Sequence, residues 1–344
     1  MKALNMKDSK APASPYSLGR NLALETVRVT EAAALACSRW MGLGDENAAD
    51  QAAVDAMRTA LNGLDIQGTV VIGEGERDKS PMLYIGEKVG SGNGPEVDIA
   101  LDPLEGTTIC ATGAPNALAV VAITHKGGFL RAPDVYMNKI AIGGGYPDDL
   151  IDITATPQKN LKELAKAKKC ALSDLLVVIL NRPRHAEMIA KVRETRARIQ
   201  LIGDGDVAGI IAATRPETGV DIYMGIGGAP EGVLAAAALA CCGGQMQGQL
   251  MFTTSGAGDK EIDAAQKDNA KRMGITDLKK IYTLEELANG DVMFAATGVT
   301  TGWMLTGVKR YAGGAETHSI SMRARTGTTR FVNAQHNFER KEEV

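Results

Sequence analysis

The sequence predicts an α/β protein of two lobes, and two observations carry that prediction. Helical and strand patterns alternate from about residue 21 to the end of the chain. Strand after strand also runs out into a loop bearing acids and glycines. The alternation implies sheets covered by helices. Open sheets of this class take ligands at the carboxyl ends of strands, so these loops are placed to converge on one site.

The elements follow in order. Met1–Ser17 mixes Lys, Pro and Ser, lacks an apolar run of signal-peptide length and reads as a flexible tail. Leu22–Met41 has helical spacing and ends at Gly42. Asn47 reads as the N-cap of a helix running through Leu61, with Asp50 in its first turn. Thr69–Ile72 is a β-branched strand entering Gly73-Glu74-Gly75-Glu76-Arg77-Asp78. Val97–Leu101 is a strand that Pro103 is expected to stop, because proline has no N–H for a ladder. Ala117–Thr124 and Val135–Ile142 read as strands around a Gly127-Gly128 turn. Gly143–Thr156 is rich in Gly, Pro and Asp and marks the expected lobe boundary.

Beyond it, Thr156-Pro157 opens a Lys-rich helix through Lys169. Leu175–Leu180, Arg198–Ile202 and Val220–Met224 read as strands; the last enters the glycine-rich stretch Gly225–Gly232. Val233–Cys242 is a helix of small apolar residues, and Asp259–Met273 is a solvated one. Asp291–Ala296 and His318–Ala324 are late strands. The expected division is a tail at 1–20, an acid-bearing lobe at 21–150, a phosphate-binding lobe at 151–335 and a tail at 336–344.

The bulk numbers set limits. The 344 residues suffice for one large domain or two ordinary ones. Aromatics are only 4%, so the core must come from Ala, Val, Leu, Ile and Met. A net charge of −3 argues against nucleic acid as the main partner. No run approaches membrane-spanning length. Five cysteines, none in a C-x-x-C pair, fit buried thiols in a reducing, cytoplasmic setting.

The chemistry is in the acids. Asp50, Glu74, Glu76, Asp78, Asp102, Glu105 and Glu231 are the candidates, most of them just after strands. Carboxylates gathered in a cleft destabilise it unless a cation neutralises them, and bound Mg²⁺ or Mn²⁺ would do so. No thiolate or histidine cluster accompanies them, which argues against zinc. Local sequence leaves alternatives open: Asp50 also fits a helix-start acid, and Glu76 and Asp78 also fit surface charges. Arg182 and Arg184 around Pro183 fit a bidentate anion site or two solvated arginines. Gly227-Gly228 can offer backbone N–H groups to an anion. Asp204 and Asp206, around Gly205, fit acceptors for sugar hydroxyls or an ordinary Gly-Asp turn. Tyr136 fits the core or a ligand edge, and the four histidines share no spacing.

Taken together, I-G-E-G-E at Ile72–Glu76, V-D-I-A-L-D-P-L-E-G-T-T at Val97–Thr108, Y-M-N-K at Tyr136–Lys139, R-P-R-H at Arg182–His185, I-G-D-G-D at Ile202–Asp206 and G-G-A-P-E-G at Gly227–Gly232 resemble the class II, GlpX-type fructose-1,6-bisphosphatases. Val27–Ala36 is also similar to that class, including members that cleave sedoheptulose 1,7-bisphosphate as well. The D-P-x-E-G-T corner alone is shared with the wider lithium-sensitive phosphatases. The resemblance implies an α-β-α-β-α layered sugar-phosphatase fold and a homo-oligomer of two or four chains. It implies two Mn²⁺ or Mg²⁺ sites, one on Asp50 and Glu74 and one on Asp102, Glu105 and Glu231.

Substrate would meet Glu105, Gly106, Thr107, Tyr136, Arg182, Pro183, Arg184, Asp204, Gly205, Asp206 and Gly228. Asp78, with Thr107 and Glu105, would orient or deprotonate the attacking water. The implied reaction releases the 1-phosphate of fructose 1,6-bisphosphate. Rival expectations are dual fructose/sedoheptulose bisphosphatase activity, inositol-phosphate hydrolysis and a non-catalytic phosphosugar-binding regulator. One departure stands at Glu46, where the family pattern often carries lysine before the asparagine.

Overall fold

Alternate residues of the central strands go to different cores, and that alternation builds two sheets buried on both faces. The computed structural model describes residues 18–19, 21–75, 82–252 and 260–340. In chain order its strands are β1 (Gln67–Ile72), β2 (Lys88–Val89), β3 (Glu96–Glu105), β4 (Leu118–His125), β5 (Tyr136–Ile142), β6 (Leu176–Leu180), β7 (Arg198–Ile202), β8 (Ile222–Gly228), β9 (Gln245–Met251), β10 (Ile281–Thr283), β11 (Met293–Gly298), β12 (Lys309–Tyr311), β13 (Gly314–Arg323) and β14 (Thr328–Asn337). The α-helices are α1 (Leu22–Cys37), α2 (Glu46–Asn62), α3 (Thr107–Thr112), α4 (Pro157–Lys168), α5 (Ala186–Glu194), α6 (Asp206–Ala212), α7 (Ala229–Cys242), α8 (Lys260–Arg272) and α9 (Leu284–Leu287).

The first sheet runs β12, β13, β11, β4, β3, β1, β2, with β14 also on β13. The second runs β10, β9, β5, β8, β6, β7. Both are mixed: β1 is parallel to β3, and β6 is parallel to β7 and β8. Three apolar clusters separate five layers. Ile99, Leu101, Val121 and Ala295 on one face of the first sheet pack with Val29, Ala33 and Met57 of α1 and α2. Ala100, Val120 and Phe294 on its other face share a cluster with α6, α7 and Met137 and Val178 of the second sheet. Ile140, Val177 and Ile222 on the far face of that sheet pack on Leu161, Leu164 and Val192 of α4 and α5. The architecture is therefore the α-β-α-β-α arrangement expected. Helix α7 can lie between the sheets because, beyond its first turn, it is apolar all round.

Four expectations need correction. Pro103 does not stop its strand: β3 continues to Glu105, and Pro103 sits in an irregularity where three steps from Asp102 to Glu105 face two from Val120 to Leu118. A bulge tolerates proline because the extra residue has no ladder partner. Asp45, rather than Asn47, caps α2; its backbone is extended and its carboxylate accepts from Ala48 N at 2.9 Å, so Asp50 lies beyond the first turn. Gly225–Gly228 is the end of β8, paired with β5. The sheets also do not divide the chain at residue 150: β5 is already in the second sheet, and β11 to β14 return to the first, β14 reaching Asn337.

Among the described residues no helix is long and apolar enough to cross a membrane. Removing the observed cap tests the boundary of α2: Asp45→Ala should cost about 1 kcal/mol in denaturant unfolding, whereas Asn47→Ala should cost much less.

Candidate active site

Five strands end at one cavity. Beyond β1 lie Gly73 and Glu74; the end of β3 supplies Asp102, Glu105, Gly106 and Thr107; β6 leads to Arg182 and Arg184, β7 to Asp204 and Asp206, and β8 to Gly227, Gly228 and Glu231. Asp50 of α2 and Tyr136 at the start of β5 complete the wall of a cavity of about 780 Å³. The rule that ligands sit at carboxyl ends of strands holds here for the strands that run parallel within each sheet. Pro183 and Gly205 are not on the wall: Pro183 is exposed, and Gly205, at φ +80°, backs onto the Glu105 carboxylate. Asp78 and Glu76 lie outside the described residues.

Burial and mutual repulsion raise the carboxyl pKa values. Burial pushes Glu74 up from 4.5 to about 8, with Asp50 and Glu231 adding repulsion. Asp102 is raised well above its ordinary value by burial, then by Glu74, Glu105, Glu231 and Asp50. Glu105 is raised by burial and by Asp206 and Asp204, against a hydrogen bond from Val207 N to its Oε1 at 3.1 Å. Glu231 is raised by burial and by Asp206, and burial alone raises Asp50. Among the described residues, Glu105 Oε2, Glu231 Oε2 and Asp206 Oδ1 are buried without a hydrogen-bond partner. Orphaned anionic oxygens in a cleft are the hard donors that Mg²⁺ or Mn²⁺ takes. Among the described residues, no three His, Cys, Asp or Glu side chains are already closed around one point. The acids line a wall that an ion would have to draw together.

Two arginines add a cationic part to the lining. Arg184 donates from Nε and Nη2 to Ile226 O at 3.0 and 2.7 Å and lies 4.7 Å over the Tyr136 ring. That leaves part of its guanidinium for an anion and makes Tyr136 a wall residue. Arg182 is half-exposed, with Asp204 at 3.9 Å. Behind them His185 is buried: Ile226 N donates to Nε2 at 2.7 Å, so Nδ1 carries the proton given to Leu180 O at 2.7 Å. Burial lowers its pKa, and the neutral ring pins the arginine loop to β8.

Asp206 differs from its expected role. Its Oδ2 is taken by the buried ammonium of Lys139 and by Tyr223 OH at 3.2 Å, leaving only Oδ1 open. Sequence reasoning assigned no role to Lys139, His185 or Tyr223. The signal for Lys139 was present: a lysine inside the apolar strand Tyr136–Ile142 requires a buried partner. Glu46 and Asp134 are further acids on the wall.

These shifts fix a pH dependence. A carboxyl with a raised folded pKa binds its proton more tightly in the folded chain, so stability falls as pH rises from its ordinary value to its folded one. For Glu74 that window runs from 4.5 to about 8. The melting temperature of metal-free protein should therefore decline across that window, and Glu74→Gln should make the decline shallower. An unchanged slope in Glu74→Gln would contradict the assignment.

Comparison with known proteins gives the family. The chain matches the family of bacterial, glpX-encoded fructose-1,6-bisphosphatases over residues 20–336. A protein of Thermosynechococcus vestitus named D-fructose 1,6-bisphosphatase class 2/sedoheptulose 1,7-bisphosphatase is 44% identical over 337 residues, covering 93% of this chain and 97% of that protein. One of the same name from Synechococcus elongatus is 43% identical over 336 residues, covering 93% and 97%. The solved structure of the extragenic suppressor protein SuhB from Bartonella henselae overlays with a TM-score of 0.33 and 16% identity, over 58% of this chain and 74% of that one, too slight a likeness to add to the argument. Matched by the family over residues 20–336 and 44% identical to a relative over 93% of its own length, the chain belongs to the glpX-type bacterial fructose-1,6-bisphosphatase family.

Proposed function

We propose that this chain hydrolyses the 1-phosphate of fructose 1,6-bisphosphate, giving fructose 6-phosphate and phosphate with the help of Mn²⁺ or Mg²⁺. The observation that carries the reading is one cavity lined by both acids and arginines. A sugar bisphosphate needs both: a cation-loaded end for the phosphate that leaves and a cationic end for the phosphate that stays. Asp50 and Glu74 would hold one ion; Asp102, Glu105 and Glu231 would hold a second. Bound there, a divalent cation supplies charge neutralisation for the phosphoryl oxygens and the leaving oxygen.

The chain's own residues do the rest. Arg182 and Arg184 bind the remote phosphate, and the Arg184–Tyr136 stack orients it. That remote binding fixes the sugar against the acid wall, which turns binding energy into alignment of the scissile bond. Thr107, which lines the cavity with Glu105, would hydrogen-bond and orient the attacking water. Asp78 is proposed with it as the proton acceptor. Asp204 accepts from sugar hydroxyls, and Gly228, which also lines the cavity, contacts the substrate through its backbone.

A second substrate, sedoheptulose 1,7-bisphosphate, is favoured by the printed names of relatives at 43–44% identity. A homo-oligomer of two or four chains and a cytoplasmic setting belong to the same proposal; they rest on the family and, for the setting, on the reduced cysteines.

A phosphate-release assay with Mn²⁺ or Mg²⁺ tests the reading. Fructose 1,6-bisphosphate should turn over and a chelator should abolish turnover. Inositol monophosphate should be cleaved far less well, and kcat/KM for the two sugar bisphosphates decides between single and dual use. Asp102→Ala should lose at least about 10³-fold in kcat, a barrier of about 4 kcal/mol, with an unchanged circular dichroism spectrum. Full activity after complete metal removal, or an active Asp102→Ala enzyme, would contradict the reading.

A further inference from the structure

Lys139 is fully buried on β5 and does not line the cavity, yet it stands between two of the acids that do. Its ammonium donates to Asp206 Oδ2 and, at 2.8 Å, to Gly228 O. On the Asp206 side, the next residue, Val207, gives its backbone N–H to Glu105 Oε1 at 3.1 Å. On the Gly228 side, the carbonyl belongs to the N-cap of α7, and Glu231 follows three residues later. The Glu231 carboxylate folds back so closely that a Cβ at position 228 would lie 1.8 Å from Oε2. One ammonium thus joins the supports of Glu105, from the first sheet, and Glu231, from the helix between the sheets.

The glycines of this stretch are cut to that arrangement. A Cβ at Gly227 would lie 2.0 Å from Asp206 Oδ2 and 3.0 Å from Lys139 Nζ, and one at Gly232 would lie 3.3 Å from Lys139 Cδ. Among the described residues, both Glu105 Oε2 and Glu231 Oε2 are left buried and unpartnered. The supports hold the two side chains while one oxygen of each stays available.

We propose that Lys139 is a positioning residue of the active site: it fixes Asp206 and the α7 N-terminus so that Glu105 and Glu231 keep the orientation in which they take a divalent cation. The proposal rests on the reading of this cavity as a metal-dependent phosphatase site. It also opposes the sign of simple electrostatics. Loss of a positive charge beside carboxylates should by Coulomb attraction alone tighten cation binding; loss of a positioning residue should weaken it.

The test is a titration of chelator-treated protein with Mn²⁺, reading free Mn²⁺ by electron paramagnetic resonance, for the wild type, Lys139→Met and the double variant Lys139→Met/Asp206→Asn. The double variant removes both charges of the pair and keeps the measurement possible if Lys139→Met alone does not fold. Both variants should bind Mn²⁺ at least tenfold more weakly than the wild type. In turnover, kcat should fall with KM for the sugar bisphosphate changed less than threefold. The double variant should recover melting temperature relative to Lys139→Met without recovering Mn²⁺ affinity. Binding as tight as the wild type, or tighter, in a folded variant would overturn the proposal and leave the assigned function standing. A wild-type protein that binds no Mn²⁺ and cleaves no sugar bisphosphate would overturn both.

Discussion

The constraint on which the rest depends is repulsion among buried carboxylates. Burial raises the pKa of Glu74, Asp102, Glu105 and Glu231, and in each another acid raises it further. A fold does not keep such a group for its own stability, because unpaired buried charge is destabilising. Three oxygens of this wall have no hydrogen-bond partner among the described residues. The arrangement is intelligible as one half of a complex whose other half is a cation and an anionic substrate. The buried pair Asp291 and Arg323 is a contrast: the two side chains bond each other directly.

The two sheets serve that constraint. Parallel strands deliver their ends in the same direction, so β1 and β3 from one sheet and β6, β7 and β8 from the other place acids and arginines around one space. Antiparallel neighbours close the sheets and add Tyr136 at the start of β5. Helix α7, apolar beyond its first turn, spans the gap between the sheets and carries Glu231 in that first turn. Packing of that helix therefore locates a polar side chain, and the glycines at its start give the carboxylate room to fold back.

Much of this was legible in the sequence because it is written in local signals. Asp102 and Glu105 follow an apolar run and flank a proline, and Glu74 and Glu231 sit among glycines. The α/β class followed from alternation of helix and strand patterns, and the five layers from the family resemblance of the motifs. What was not legible depends on contacts distant in sequence. Lys139 and Asp206 are 67 residues apart, and nothing near either one shows that they pair. The strands β9 and β14 were missed although Gln245–Met251 alternates in burial, because glutamines and a glycine mask the period. The expected lobe boundary was set by composition, and composition does not reveal that β11 to β14 return to the first sheet. Pro103 misled for a physical reason: the rule that proline ends a strand assumes a regular ladder, and the ladder is irregular there.

The central claim is that a divalent cation displaces protons from these acids. Calorimetric titration of chelator-treated protein with Mn²⁺ at neutral pH, in two buffers of different ionisation enthalpy, tests it most directly. With Glu74 pushed up to about 8, binding should release about one proton or more per chain, seen as a heat that differs between the buffers. Mn²⁺ binding with equal heats in the two buffers, or no binding, would contradict the account.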